Sequence, residues 1–319
     1  MAALWGKIRG RAFRISPEEV SFKRRGFWNG NAGVRERLEH IGATFLVGYN
    51  AAIDRDGPAA TASHLETVDL EMRGFAYEGA SMGFALMDYL LPWKKDRLRA
   101  FLDGPASAHA YMVYVGAGWA LARLHRSIGP VIRSLDPMVR WLVVDGYGFC
   151  EGFFNWRKYV VDRAAPRGVN GYARRAFDQG LGRCLWFVEC AEADRIVATI
   201  GRFRTSRRSD LWSGVGLAAT YAGGVDRNVL ENLRARSGEY RLALAQGAVF
   251  AAKARQRAGN PAEHTELACQ VFCGASADVT ARVADDTMET SGSNGTEPAY
   301  ELWRRRIQSR FAELGVREA

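Results

Sequence analysis

A glycine with a small residue four positions later keeps returning along this 319-residue chain. The glycines are Gly48, Gly79, Gly116, Gly152, Gly180, Gly214, Gly247 and Gly274, spaced by 31, 37, 36, 28, 34, 33 and 27 residues. Four positions after them stand Ala52, Gly83, Ala120, Trp156, Cys184, Ala218, Ala251 and Asp278, six of them small. Small residues at i and i+4 leave a shallow groove on one helix face, where a second backbone can come close. A period in the low thirties marks stacked helical hairpins. Breakers separate the glycine-bearing segments at Gly104-Pro105, Gly129-Pro130, Gly223-Gly224 and Gly259-Asn260-Pro261. Amphipathic stretches follow some of them, with Ile196, Val197 and Ile200, then Val229, Leu230 and Leu233, at helical spacing. These features predict an all-α fold of repeated helical hairpins, an αα-solenoid or α/α toroid-like array. Apolar inner helices would alternate with charged outer ones, because one hairpin cannot bury its own apolar face.

The organisation expected along the chain is a basic N-terminal arm or cap over 1–45 and the hairpin array over 46–285. A flexible polar linker over 286–298 and a basic C-terminal helix over 299–319 follow. Ser16-Pro17-Glu18-Glu19 is a helix start, with Pro at the first helical position and acids in the first turn. One stretch resists the pattern: Trp141-Leu-Val-Val-Asp145 before Gly146-Tyr-Gly148 reads like a strand entering a glycine turn. No further βαβ units surround it, so a buried helix with a glycine turn fits better than a dinucleotide fingerprint.

The net charge of +9 concentrates at the two ends. Residues 1–26 hold seven Lys/Arg against Glu18 and Glu19, and Arg304, Arg305, Arg306 and Arg310 interleave with Trp303, Ile307 and Phe311. Such basic amphipathic ends fit a peripheral membrane surface or an acidic partner, or a solvated helix packed by its apolar side. The middle has no basic stripe with aromatics, which argues against nucleic acid. No run approaches a membrane span and no secretory signal precedes Lys7, so the expected compartment is the cytoplasm. The five cysteines lack a CxxC, which fits reduced, buried thiols.

Residues just before the glycines are Val47, Glu78, Val115, Glu151, Gln179, Ser213, Gln246 and Cys273, and five of these eight are polar within apolar segments. In a register of stacked hairpins they would share one wall. Glu78 and Glu151 are then the candidate catalytic pair, two carboxylates facing one apolar channel, with Asp178, Gln179 and Asp210 as weaker candidates. The bland alternative gives each Glu a backbone donor or an Arg and a role in packing alone. Tyr77, Tyr114, Trp119, Phe149, Phe153, Trp186 and Trp212 are candidates to line an apolar tunnel for a long, flat substrate, though ordinary core packing also explains them. The histidines are scattered and no metal site is read; no Walker lysine loop or GxSxG elbow occurs, and the cofactor is unknown. Asp285-Asp286-Thr287-Met288-Glu289 looks like a diphosphate-binding acidic motif but borders the polar linker.

The blocks RGFAYEGASMGFALMDYL (73–90), HAYMVYVGAGWALARL (109–124), DPMVRWLVVDGYGFCEGFF (136–154), RAFDQGLGRCLWFV (175–188), DLWSGVGLAATYAGG (210–224) and AQGAVFAAKARQRAGN (245–260), with WGKIRGRAF at 5–13, together resemble the UnbL-type family. That bacterial family, of unknown biochemical role, is found beside enediyne polyketide synthases. The resemblance implies an accessory protein of enediyne polyketide biosynthesis, with other pathway proteins as partners. It supplies no catalytic residues to carry over. Joined to the residue reading, it gives an expected enzyme that holds a linear polyene or polyyne, a hydrophobic small molecule, in an aromatic-lined cavity. A non-catalytic helical scaffold and an isoprenoid cyclase-like enzyme are the rivals.

Overall fold

A computed structural model of the protein describes residues 13–55, 57–91, 96–133, 135–288 and 297–313. The described residues form helices and no strand. Seven long helices carry the fold: α1 (Ala32–Asp54), α2 (Arg73–Leu90), α3 (Ala110–Arg123), α4 (Trp141–Phe154), α5 (Tyr172–Val188), α6 (Thr205–Ala222) and α7 (Arg241–Ala258). Each packs along the next in chain order, and α8 (Ala277–Thr287) continues the series onto α7. Short helices lie between them, including Ala193–Gly201, Arg227–Arg236 and Glu263–Cys273, which pack on one another in turn. Ile196 and Ile200 bury one face of Ala193–Gly201, and Leu230 and Leu233 do the same for Arg227–Arg236. Helices α2, α3 and α6 are buried nearly all round.

Glycine makes this packing possible. A Cβ built on Gly79 would lie 1.8 Å from the Phe45 carbonyl oxygen, on Gly116 2.1 Å from that of Glu78, and on Gly214 2.0 Å from that of Gln179. Four helices carry a second glycine two positions on that meets the following helix, as Gly118 meets Val143 and Gly182 meets Leu211. The backbones thus touch at each crossing, closer than side chains permit.

In α4 the glycine that takes this place is Gly146, and Gly152 is not in register. A Cβ on Gly146 would sit 2.0 Å from the Val115 carbonyl, whereas one on Gly152 would meet only the side chains of Leu181 and Cys184. Gly274 is no inner-helix glycine either. It ends Glu263–Cys273 in the left-handed region (φ 68°), where glycine is free of Cβ strain. Nor is there a glycine turn at Gly146-Tyr-Gly148, since α4 runs unbroken through both glycines.

The expected boundary at 45/46 falls inside α1, a single helix started by the Asn31 side chain, which accepts from the Val34 amide. Residues 289–296, most of the expected linker, lie outside the described residues, as do 1–12 and 314–319. The C-terminal helix α9 (Ala299–Glu313) turns Tyr300, Trp303, Ile307 and Phe311 into the core. Arg304 goes with them, only 1 % exposed, and donates to Asp210 at 2.8 Å and to Gln246 at 3.0 Å. Arg175 grips Asp210 through two hydrogen bonds and reaches Glu301, so two guanidiniums face two carboxylates in the interior. One face of this helix is stitched into the fold, while Arg305 and Arg310 on it stay exposed.

Candidate functional site

Six long helices converge on one cavity. Phe45 comes from α1, Glu78 and Met82 from α2, Trp119 from α3, Phe149 and Phe153 from α4, Arg183 and Phe187 from α5, and Leu217 and Tyr221 from α6. The two ends of the series meet behind it. Arg37 of α1 donates to the Ala222 carbonyl of α6 at 2.7 Å, and Arg255 of α7 donates to the Tyr221 carbonyl at 2.6 Å and the Glu71 carbonyl at 3.1 Å. The cavity is narrow, about 50 Å³. A second one of about 40 Å³ shares Arg183, Leu217 and Tyr221 with it and continues to Phe250, Tyr300 and Trp303.

The lining follows the packing register. Three positions after the register glycines of α2 to α7 stand Met82, Trp119, Phe149, Arg183, Leu217 and Phe250, and every one of these faces a cavity, whereas Ala51, three positions after Gly48 in α1, does not. A helix turns about 100° per residue, so the crossing face and the face three residues on are fixed relative to one another. Trp119 sits at the centre of the aromatic wall, with ring centroids 4.8 Å from Phe45, 5.0 Å from Phe149 and 6.0 Å from Phe153.

Two charged side chains interrupt this apolar lining. Glu78 is 2 % exposed, and its Oε1 has no hydrogen-bond partner. Burial pushes its carboxyl up to about 7; Asp145 nearby also raises it, while Arg183 and the Trp119 indole N–H pull it down. The Trp119 N–H lies beside Glu78 without forming a well-aligned hydrogen bond, so it too stands unpartnered. Arg183 approaches Glu78 Oε2 only to 4.0 Å, because it is held by Asp145 at 2.5 Å and lies over the Phe149 ring at 4.7 Å. Asp145 also accepts from Gln179 at 2.9 Å, and Gln179 donates to the Tyr300 hydroxyl at 3.1 Å. Ser213 donates to Gln246 at 2.8 Å and lies 3.4 Å from Gln179, so Asp145, Gln179, Ser213 and Gln246, each just before a glycine, form one buried polar seam, which the exposed Val47 does not join. Asp145 holds the place in it that the sequence reading gave to Glu151.

The candidates separate accordingly. Glu78, Trp119, Phe149 and Phe153 line the cavity; Glu151 does not, and the structure does not bring it to Glu78. Glu151 is buried elsewhere on α4 and accepts from Asn155 at 2.9 Å. Tyr77 points the other way, stacked 4.0 Å from His109 and donating to Glu66 at 2.8 Å. Trp186 is fully buried and donates to the Gly223 carbonyl at 3.0 Å; Tyr114 and Trp212 pack in the core away from both cavities. Asp178 is clamped by Arg207 at 2.6 and 2.8 Å, and Asp210 by Arg175 and Arg304. Asp285 lines neither cavity but pairs at 2.6 Å with Lys253, which lines the second one, and Glu289 lies outside the described residues. Among the described residues no group of His, Cys, Asp and Glu side chains could hold a metal ion, and the five cysteines are buried free thiols. No helix among them is long and apolar enough to cross a membrane.

The difference between the two glutamates is testable. Gln can still accept from Asn155, so Glu151→Gln should shift stability by less than about 1 kcal/mol, the size of one hydrogen bond. A thermal melt of the variant checks this, and a large loss would mean that Glu151 carries a load its single bond does not show.

A helical protein whose long helices enclose an apolar cavity with one unpartnered carboxyl is the class these features define. Residues 4–311 match the family model described as protein of unknown function (DUF1702), and the chain belongs to that family. No curated protein and no solved structure matches it.

Proposed function

We propose that this protein is an enzyme that binds a slim, unsaturated hydrocarbon chain in the central cavity, whose walls must part to admit it because the closed cavity holds only about 50 Å³, and moves a proton on the chain through Glu78. One observation carries the reading: a carboxyl that burial pushes up to about 7, with one oxygen unpartnered, lines a chamber that is apolar and aromatic apart from it and Arg183. A carboxyl so placed is half-charged near neutral pH, which suits it both to give and to take a proton. Arg183 is close enough to steady the carboxylate left behind, and Asp145 keeps that guanidinium from pairing fully with Glu78. Protonating a polyene at one carbon and recovering a proton from another gives double-bond migration or ring closure with no net redox change. The likeness to the UnbL-type family supports a linear polyene or polyyne of enediyne polyketide biosynthesis as the substrate.

The test is to incubate the protein with the linear polyene in deuterium oxide and follow the mass of the product. An isomer carrying deuterium on carbon is the expected result. Polyene that binds but returns unchanged and unlabelled would make the protein a binding module instead.

A further inference from the structure

The cavity comes nearest to solvent at three residues. Of its lining residues only Ile15, Gly42 and Phe154 are half-buried, and the others, Glu78 and Arg183 included, are buried. A ligand that enters past Phe154 reaches Glu78 with its leading end.

That entrance is charged. The Arg25 guanidinium carbon lies 5.0 Å from the Phe154 ring centroid and that of Arg123 lies 4.9 Å from it, so two cations share one phenyl ring. Arg25 is paired with Glu19 at 2.6 Å, but Arg24 draws on the same carboxylate at 3.2 Å. Arg123 is exposed, and among the described residues it meets no carboxylate. The Arg25 Nε is buried without a partner. Arg24 and Arg123 both act on Arg25 as like charges and help to lower its pKa, after burial, which lowers it most. Cations gathered round an apolar opening with one shared counter-charge attract and orient an anion there.

We propose that the ligand is amphipathic, an unsaturated chain that enters tail first and leaves an anionic head group, a carboxylate or phosphate, between Arg25 and Arg123 at the Phe154 mouth. The inference rests on the cavity being the binding site and adds the chemistry of the ligand's outer end. It also orients the substrate: the head stays at the mouth, and the carbons that reach Glu78 are those of the distal chain.

Parinaric acid, a linear conjugated tetraene carboxylate whose fluorescence rises in apolar surroundings, and its methyl ester are the probes, titrated into the whole chain and into Arg123→Ala. The acid should bind the parent about tenfold more tightly than the ester, the scale of one charge-assisted contact. In Arg123→Ala that preference should largely vanish while the ester's affinity stays as in the parent, which also reports an intact cavity. Displacement of the acid by an alkyl phosphate as well as by an alkyl carboxylate would extend the head group to phosphate; displacement by the carboxylate alone would restrict it to carboxylate. Equal affinity of acid and ester for the parent overturns the head-group proposal and leaves the cavity reading standing. Binding of neither probe overturns both.

Discussion

Replacing Glu78 by Gln should slow proton transfer to a bound polyene by about 10²–10⁴-fold while the helices stay folded. Gln keeps the shape of the side chain and cannot deliver a proton. The same substitution should change how stability depends on pH. The Glu78 carboxyl goes from an ordinary 4.5 to about 7 on folding. Between those values the folded protein holds a proton that the unfolded chain has lost, so stability falls as pH rises through this window, by on the order of 3 kcal/mol. Gln removes that fall. Glu78→Gln should therefore gain on the parent as pH rises from about 4.5 to 7 and keep the gain above it, a stabilising change that costs activity. His109 and His264, both held down to about 4 by burial, tilt stability the other way, since the unfolded chain binds more protons between about 4 and 6.5. Both histidines act equally in parent and variant, so the difference between the two melting temperatures across pH isolates Glu78. A difference that stays flat from pH 4 to 8 would mean that Glu78 is not the buried, proton-holding group described here.

The all-α fold was legible because close backbone crossings demand glycine, and that demand is visible as spacing. The register was less so. Helix α4 carries Gly146, Gly148 and Gly152, and spacing alone does not say which one meets the neighbouring backbone. A signal was present: Trp156 and Asp278, the two large residues among the eight fourth positions, follow Gly152 and Gly274, the two glycines out of register. Moving the α4 glycine to Gly146 puts Cys150 at its fourth position and Asp145, not Glu151, before it. That one shift accounts for the carboxylate that does not reach the cavity. The aromatics divide for a similar reason. Tyr77 and Glu78 are neighbours in sequence but about 100° apart round α2, so one faces the outer layer and the other the cavity. Arg183 went unread because it is a charge at a position where its equivalents are Met82, Trp119, Phe149, Leu217 and Phe250. Only tertiary contact with Asp145 explains a guanidinium there.

Gly180→Ala should cost roughly 3 kcal/mol or more, the upper end of what overpacking costs, although it adds one methyl group. The added Cβ would lie 1.8 Å from the Asp145 carbonyl oxygen and 2.8 Å from the Phe149 amide nitrogen. Both are backbone atoms of α4, and no rotamer change relieves the clash. Helices α4 and α5 must move apart, and α4 is held on its other side by the Gly146 contact with Val115. The strain therefore has no local outlet and should spread along the series of crossings. A domain with only about 5–15 kcal/mol of net stability would lose a large share of it. The Arg183–Asp145 contact joins the same two helices, so the charged wall of the cavity should loosen as well. Gly201→Ala is the control: it ends a short outer helix, and a Cβ there meets nothing within 4 Å. It should be neutral or slightly stabilising, because Ala restricts the unfolded chain more than Gly does. Urea unfolding of the two variants beside the parent measures the contrast. Equal midpoints for Gly180→Ala and Gly201→Ala would mean that the helices do not cross backbone to backbone, and the register that places Asp145, Arg183 and the cavity lining would fall with that result.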